Sequence, residues 1–486
     1  MAISGSQSDL LKRLAADAMR SRGLLPEFSS AALTEARAAR DPAPGAMRDL
    51  RSILWSSIDN DDSLDLDQIE AAERLSDGRF TLYVAIADVD SLVNSRSAID
   101  EHAAYNTTSV YTAAAIFPML PERLSTDLSS LRQDQERVAM VTEMTLAADG
   151  TLERSDLYRA RVQNRAKLAY RSVAAWLEGS GPAPEPLAKV KGMDQQLKLQ
   201  DDIAQRLKAQ RRSRGALDLE TIEDRAVFEG DTLVDLQPDG KNRAQSIIEE
   251  FMVAANGANA RYLDKAGRSS IRRVLKTPKK WGRIVLLARA LGANLPDEPN
   301  AKALDDFLTA RRTAAPERFA DLSLSVIKCL GPGEYALERP GEAPVGHFGL
   351  AVRDYTHSTA PNRRYPDLLT QRLMKAALNG DPAPYSDAEL QTQAAHCTTQ
   401  EDNAKKVERQ VSKSAAALLL SDRIGTRFDA IVTGASDKGT WVRIEHPAVE
   451  GRVVQGDQGL DVGDRVPVKL LHTDVTRGFI DFARLK

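Results

Sequence analysis

Asp59-Asn60-Asp61-Asp62-Ser63-Leu64-Asp65-Leu66-Asp67-Gln68 places five carboxylates in ten residues, just upstream of the strand-like run Phe80-Thr81-Leu82-Tyr83-Val84-Ala85-Ile86-Ala87. Like charges at this density repel one another unless cations neutralise them. The stretch is therefore a solvated loop or a divalent-metal site. Leu64, Leu66 and Ile69 interleave with the acids, which predicts that part of the segment is buried and its carboxylates are held close together. A calcium loop is another reading, because Asp59, Asp61, Ser63, Asp67 and Glu70 fall at positions 1, 3, 5, 9 and 12 of such a loop. Position 6, where the sharp turn needs glycine, is Leu64, and the downstream flank is strand-like; both argue against calcium. Magnesium needs only one or two carboxylates, with water and substrate phosphate completing its shell. Far downstream, Tyr355-Thr356-His357-Ser358-Thr359-Ala360-Pro361-Asn362-Arg363-Arg364-Tyr365-Pro366-Asp367 supplies arginines of the kind that grip phosphate. Carboxylates for a metal and arginines for phosphate are the parts of metal-dependent phosphodiester hydrolysis.

The chain has 486 residues, 42% hydrophobic and 28% charged, which fits a soluble protein of several domains. No apolar run approaches a membrane span, so no membrane role is expected. Met1 to Arg13 lacks the apolar core of a secretory signal. Cys329 and Cys397 are the only cysteines, which excludes a disulfide framework or a cysteine zinc site and fits a reducing cytoplasm. With a formal net charge of −3, any nucleic acid must be held by local basic clusters and bound metal.

Residues 1–45 read as two short helices. Ser8 can cap the first, with Leu10, Leu11, Leu14 and Met19 on one face and Arg22-Gly23 at its end. The second spans about Ser30 to Arg40, before the break Asp41-Pro42-Ala43-Pro44-Gly45. They form either a helix-turn-helix or, as expected here, a helical cap on the main body. Residues 46–423 read as a mixed α/β body, with strands at 80–87 and 137–146 and helices at 245–263, from Pro366, and over 387–422. Residues 424–486 carry five short β runs between Gly- and Asp-rich turns, the pattern of a small OB-type barrel. Trp441 and Phe428 are candidates for stacking bases on it. The fold class is thus α+β, a mixed catalytic body flanked by a short helical region and an all-β barrel.

Ile58-Asp59 through Asp65-Leu66-Asp67-Gln68 resembles the signature loop of the ribonuclease II family. Further resemblances follow in family order over roughly residues 50–415. They are Ala85-Ile86-Ala87-Asp88-Val89; Thr108-Ser109-Val110-Tyr111 with Ile116-Phe117-Pro118-Met119-Leu120-Pro121; and Leu124-Ser125 with Leu128-Ser129-Ser130-Leu131. Then come Arg214-Gly215-Ala216-Leu217-Asp218, Ile248-Glu249-Glu250-Phe251-Met252 with Ala255-Asn256, and His347-Phe348-Gly349-Leu350 to Tyr365-Pro366-Asp367. The C-terminal barrel is similar to the S1-type RNA-binding domain of that family. The resemblance implies an RNB catalytic domain and a hydrolytic 3′→5′ exoribonuclease, processive on single-stranded RNA and releasing nucleoside 5′-monophosphates. It implies Asp59, Asp65 and Asp67 as catalytic acids, the first two ligating Mg²⁺ and Asp67 helping to place metal and attacking water. Arg363 matches the phosphate-gripping arginine, with Arg364 beside it. Tyr111 matches an aromatic near the 3′-terminal bases, and Glu408 an acid of the substrate channel.

Three departures stand out. The family loop closes with a fourth aspartate where this chain has Gln68, an amide that can ligate a metal but brings no charge, so Mn²⁺ is expected to serve as well as Mg²⁺. The second aromatic of the 3′-end clamp has no match beyond the candidate Trp281. Roughly 45 helical residues stand where family members carry two cold-shock domains, so the handling of structured RNA is expected to differ. The competing functions are a catalytically weak or silent RNA-binding homologue and a metal-stabilised structural protein. Retention of Asp59, Asp65, Asp67 and Arg363 argues for the enzyme. A monomer is expected, since no coiled-coil seam is visible.

Overall fold

A computed structural model of the chain describes residues 6–42, 47–220, 223–436, 439–444 and 446–485. The chain opens with α1 (Gln7–Ser21) and α2 (Ser30–Ala38). Ser6, two residues earlier than the expected Ser8, caps α1 by accepting the Asp9 N–H, and Ser29 caps α2 in the same way. Residues 43–45 of the expected break lie outside the described residues.

The central sheet comprises β1 (Arg48–Asp49), β2 (Trp55–Asp59), β3 (Gln68–Arg74) and β4 (Phe80–Ala87). After α3 (Ala98–Asn106) and the small hairpin β5 (Val110–Tyr111) and β6 (Ile116–Phe117), it is completed by β7 (Glu136–Leu146) and β8 (Leu152–Ala169). Its order is β1-β8-β2-β3-β4-β7. The long β8 pairs antiparallel with β7 up to Gln163 and parallel with β2 from Asn164, so it closes the sheet on itself. Val, Ile, Leu and Ala on both faces of β4 leave it buried almost throughout, as a strand covered on two sides requires.

One face packs under α4 (Tyr170–Leu177), α5 (Glu185–Lys189) and α6 (Met193–Ser213). The hairpin β9 (Glu223–Glu229) and β10 (Thr232–Asp239) then leads into α7 (Arg243–Lys265), where Ile247, Phe251, Ala255 and Ala258 meet Leu82, Val84 and Ile86. After β11 (Ser270–Val274), a helical lobe of α8 (Trp281–Ala290), α9 (Ala301–Ala314) and α10 (Phe319–Leu330) has its own core. Trp281 belongs to that core, 4% exposed, with its indole N–H on the Pro296 carbonyl, so it offers no face to a ligand. After β12 (Glu334–Glu338), paired with β11, α11 (Tyr365–Asn379) covers the other sheet face.

The 33-residue α12 (Asp387–Leu419) starts at a capping box of Ser386 and Glu389 and leads into the barrel. Its strands are β13 (Arg427–Ser436), β14 (Gly439–Ile444), β15 (Val449–Gln455), β16 (Arg465–Asp474) and β17 (Phe479–Arg484), closed in the order β13-β14-β15-β17-β16. Phe428 points to the barrel core against Phe482, whereas Trp441 alternates outward between the buried Thr440 and Val442. Among the described residues no helix is long and apolar enough to cross a membrane.

The N-terminal helices are a cap built into the body. Leu11, Ala15, Ala18 and Met19 pack against Val407, Val411 and Ala415 of α12. Asn106 brackets Leu25, its amide accepting the Leu25 N–H at 2.9 Å and donating to the Leu25 carbonyl at 2.8 Å. The Glu35 carboxylate accepts the Ala98 and Ile99 N–H groups at the start of α3, where the helix dipole favours an anion. Met19→Ala is expected to destabilise the whole protein by about 2–5 kcal/mol in denaturant titration. Unfolding of the α/β body at an unchanged midpoint would contradict the integrated cap.

Candidate active site

Four sheet ends converge where β2 stops at Asp59, β3 starts at Gln68, β4 stops at Ala87 and β8 stops at Ala169. Between the first two runs the acidic loop. Asp59 Oδ1 accepts the Asn60 N–H at 2.7 Å and the Ser63 hydroxyl at 2.9 Å, so the first acid shapes its own turn. The loop is pinned from outside by Ser130, whose hydroxyl accepts from the Leu66 N–H and donates to the Leu64 carbonyl. The Ala87 N–H donates to the Asp67 carbonyl. Leu66 and Ile69 are buried as expected, but Leu64 is 59% exposed, because Ser130 holds it through its backbone and leaves the side chain in solvent. Asp61 and Asp62 are exposed at the tip.

Asp67 is only 2% exposed. Its Oδ1 accepts the Asn362 N–H at 3.0 Å, and its Oδ2 accepts from Arg363 Nε at 3.3 Å. The first acidic stretch and the arginine turn, 295 residues apart at Asp67 and Asn362, thus meet at one carboxylate. The Arg363 side chain stays 46% exposed, and Nε is its sole hydrogen-bonded side-chain nitrogen among the described residues, which leaves both Nη groups without a hydrogen-bond partner there. Arg364 is placed differently. Its guanidinium pairs in bidentate fashion with the buried Asp367, at 2.7 and 2.8 Å, and Asp367 also accepts the Thr359 and Ala360 N–H groups. That network fixes the turn presenting Arg363.

The hairpin bearing Tyr111 is tied to the same turn, for the Ser109 N–H and the Thr108 hydroxyl donate to the Arg363 carbonyl. Glu408 of α12 accepts the Tyr111 N–H at 3.0 Å, joining two sequence candidates 297 residues apart. Tyr111 is 40% exposed and lies near enough to Asp65 to favour that acid's charged form. Trp441 lies on the barrel, opposite Arg452 in the strand register, outside this cluster.

Burial raises the Asp67 carboxyl to about 7, against the pull of Arg363 and the Asn362 N–H. Burial also raises Asp65, with Asp59 adding to the shift and Arg363 opposing it. Two further residues join this site, Tyr170 with no signal in the sequence and Glu70 signalled only as position 12 of the calcium-loop spacing. Glu70, two residues past Gln68 and on the same strand face, is fully buried, and neither carboxylate oxygen has a hydrogen-bond partner. Burial and the nearby Asp59 push it well above the ordinary range. Tyr170, at the end of β8, is likewise raised by burial and then by Asp59 and Glu70. Only the folded register of β2, β3 and β8 brings them to the acids.

Among the described residues no three His, Cys, Asp or Glu side chains form a ready-made metal cage. The donors are all oxygens, and Asp59 lies close enough to Asp65 to raise its carboxyl, with the unpaired Glu70 carboxyl behind them. That set fits a hard divalent ion that takes two carboxylates and leaves positions for water and phosphate. Gln68 is the neutral fourth candidate, buried at the start of β3.

Residues 47–380 match the RNB domain family, and residues 426–485 match the RNase II-type exonuclease C-terminal S1 domain. The chain is similar to Ribonuclease R of Vibrio parahaemolyticus, 30% identical over 83% of this chain and 49% of the relative. Ribonuclease R of Escherichia coli is 28% identical over 90% of this chain and 57% of its own length. The chain thus spans about half the length of these curated relatives. Mycoplasma genitalium RNase R in complex with ribose methylated single-stranded RNA shares the fold at TM-score 0.87 and 24% identity, over 98% of this chain and 78% of that one. Yeast Ssd1, a pseudonuclease, shares it at TM-score 0.73 and 16% identity, over 95% and 58%.

The unfolded chain releases the Asp67 proton at its ordinary 3.8 and the folded chain at about 7. Metal-free protein should therefore lose stability as pH rises through that window, because the unfolded state binds fewer protons there. Asp67→Asn should make that slope shallower in thermal melts recorded with a chelator. An unchanged slope would place the raised carboxyl elsewhere.

Proposed function

Since this chain belongs to the ribonuclease II family, through an RNB domain that covers most of it, we propose that it is a hydrolytic 3′→5′ exoribonuclease. In this reading it digests single-stranded RNA processively and releases nucleoside 5′-monophosphates. The observation that carries the reading is the Asp67 carboxylate meeting Asn362 and Arg363, with both Arg363 Nη groups left to face a phosphate. The domains in this reading are the helical region 1–45, the RNB domain 46–423 and the S1 barrel 424–486. The protein acts as a cytoplasmic monomer, for which the two free thiols are suited.

Arg363 grips the scissile phosphate and stabilises charge developing on its oxygens. Asp67 holds Arg363 through Nε and positions the attacking water from its other face. Asp59, Asp65 and the amide of Gln68 would hold Mg²⁺ or Mn²⁺. When bound, such an ion lowers the pKa of its water and neutralises charge on the phosphate. Tyr111, set by Glu408, stacks near the 3′-terminal bases, and Arg364 adds positive potential to the turn it braces. Trp441 offers an outward aromatic face for RNA passing the barrel. The silent-binder alternative is not favoured by the site, which keeps Asp59, Asp65, Asp67 and Arg363 although Gln68 replaces the fourth loop acid.

A 5′-labelled single-stranded RNA should be shortened progressively in the presence of Mg²⁺. Asp67→Asn should lower that rate by about 10²-fold or more while RNA binding persists. Full-length RNA retained by the native chain, with Mn²⁺ tried as well, would make the chain a binder. Mn²⁺ should support at least the rate seen with Mg²⁺, and Gln68→Asp should lower the Mg²⁺ concentration needed for half-maximal rate. A tight Mg²⁺ preference in the native chain would refute this assignment of Gln68.

A further inference from the structure

At the other end of the sheet from the acids lies a site the proposed chemistry does not use. Asp67 is bonded to Ala87 at one end of β4, whereas Phe80 at the other end pairs with Leu146, next to the turn that joins β7 to β8. Eight residues of strand separate the two ends by roughly 23 Å. Around that turn, α6 and α7 border two adjoining hollows of 320 and 440 Å³ that share Thr151, Leu152, Arg214 and Arg261. The larger has apolar walls from Leu207, Val253 and Ala254. At Gly257 an added Cβ would stand 3.4 Å from both Arg261 Nη1 and the Asp354 carbonyl, so the backbone approaches closely there.

Besides Arg211, which pairs with Glu250, five cations line this groove: Arg154, Arg214, Arg261, Lys265 and Arg353. None of their side chains forms an ion pair or hydrogen bond to the protein among the described residues. The acids beside them are mostly engaged, Glu153 with Arg79 and Glu250 with Arg211. Asp354 is left as the one lining acid without an ion pair among the described residues. Arg261 is half-buried; burial disfavours its charge, Asp354 favours it in part, and the neighbouring Arg214 and Arg272 disfavour it again. Clustered guanidiniums that outnumber the free carboxylates, here Asp354 alone among the described lining residues, are costly in a partly desolvated groove and call for an anion.

We propose that this groove binds a nucleoside phosphate, with the base against Leu207, Val253 and Ala254 and the phosphate on Arg214, Arg261 and Arg353. The volumes suit a ligand of that size. The apolar wall beside a cationic rim matches a molecule with one flat and one anionic end. Asp354 leaves an acceptor for ribose hydroxyls. The site is independent of the exoribonuclease reading, and its distance from the acids makes it a second nucleotide site rather than an extension of the first.

Isothermal titration of the full chain carrying Arg363→Gln, in a chelator at low salt, separates this site from the catalytic groove. Adenosine 5′-monophosphate should bind in that background, and inorganic phosphate and adenosine should each bind at least about tenfold more weakly. Adding Arg261→Gln should weaken the nucleotide by about tenfold or more, and so should the exposed Arg353→Gln, which serves if the first variant fails to fold. Absence of binding in the Arg363→Gln chain would overturn the proposal. So would nucleotide affinity unchanged by Arg353→Gln, or phosphate or adenosine binding as tightly as the nucleotide.

Discussion

A carboxylate buried without partners costs several kcal/mol, so Asp67 can lie at 2% exposure only because the Asn362 N–H and Arg363 meet it. This constraint organises the structure around it. The acidic loop must reach the arginine turn, the turn must be braced by Arg364 and Asp367, and the Tyr111 hairpin must hang from the Arg363 carbonyl. Apart from the local Arg364–Asp367 brace, each link is a hydrogen bond between segments distant in the chain. The sheet supplies the frame, with β2, β3, β4 and β8 all ending or starting at the same rim.

The same rim stores unfavourable energy. Glu70 is buried with neither oxygen bonded, next to Asp59, and Asn362 leaves its own side-chain amide nitrogen unpartnered. Unsatisfied buried polar groups lower stability, and they concentrate where function opposes packing. Here they sit behind acids that cannot all carry charge without a cation. Other buried charges are paired: Asp88 meets Arg159 and Lys375, and Arg372 meets Asp90 and Asp100.

Much of this was legible in the sequence. The apolar faces of the helices around Ile247 and Leu368 and the closely spaced runs of the barrel are local patterns, and they appear where the patterns put them. The capping residue of α1 was missed by two positions, because Ser6 and Ser8 both satisfy the local rule and only the fold selects between them. Trp281 and Leu64 show the opposite error. An aromatic after a basic run gives no sign of being buried, and an apolar residue between acids gives no sign of being exposed, since each depends on neighbours distant in sequence. Tyr170 joins the site through strand register alone, which composition does not encode, and Glu70, marked only by the spacing of the discarded calcium reading, is turned toward Asp59 by the same register.

The central claim is that Asp67 and Arg363 act as one unit on the scissile phosphate. The direct measurement is a double-mutant cycle on the rate of RNA shortening at saturating metal, using the native chain, Asp67→Asn, Arg363→Gln and the combined variant. The account predicts that the combined variant loses about as much as the more damaging single change, the behaviour of residues that work together. Losses that multiply, each residue contributing independently of the other, would contradict it.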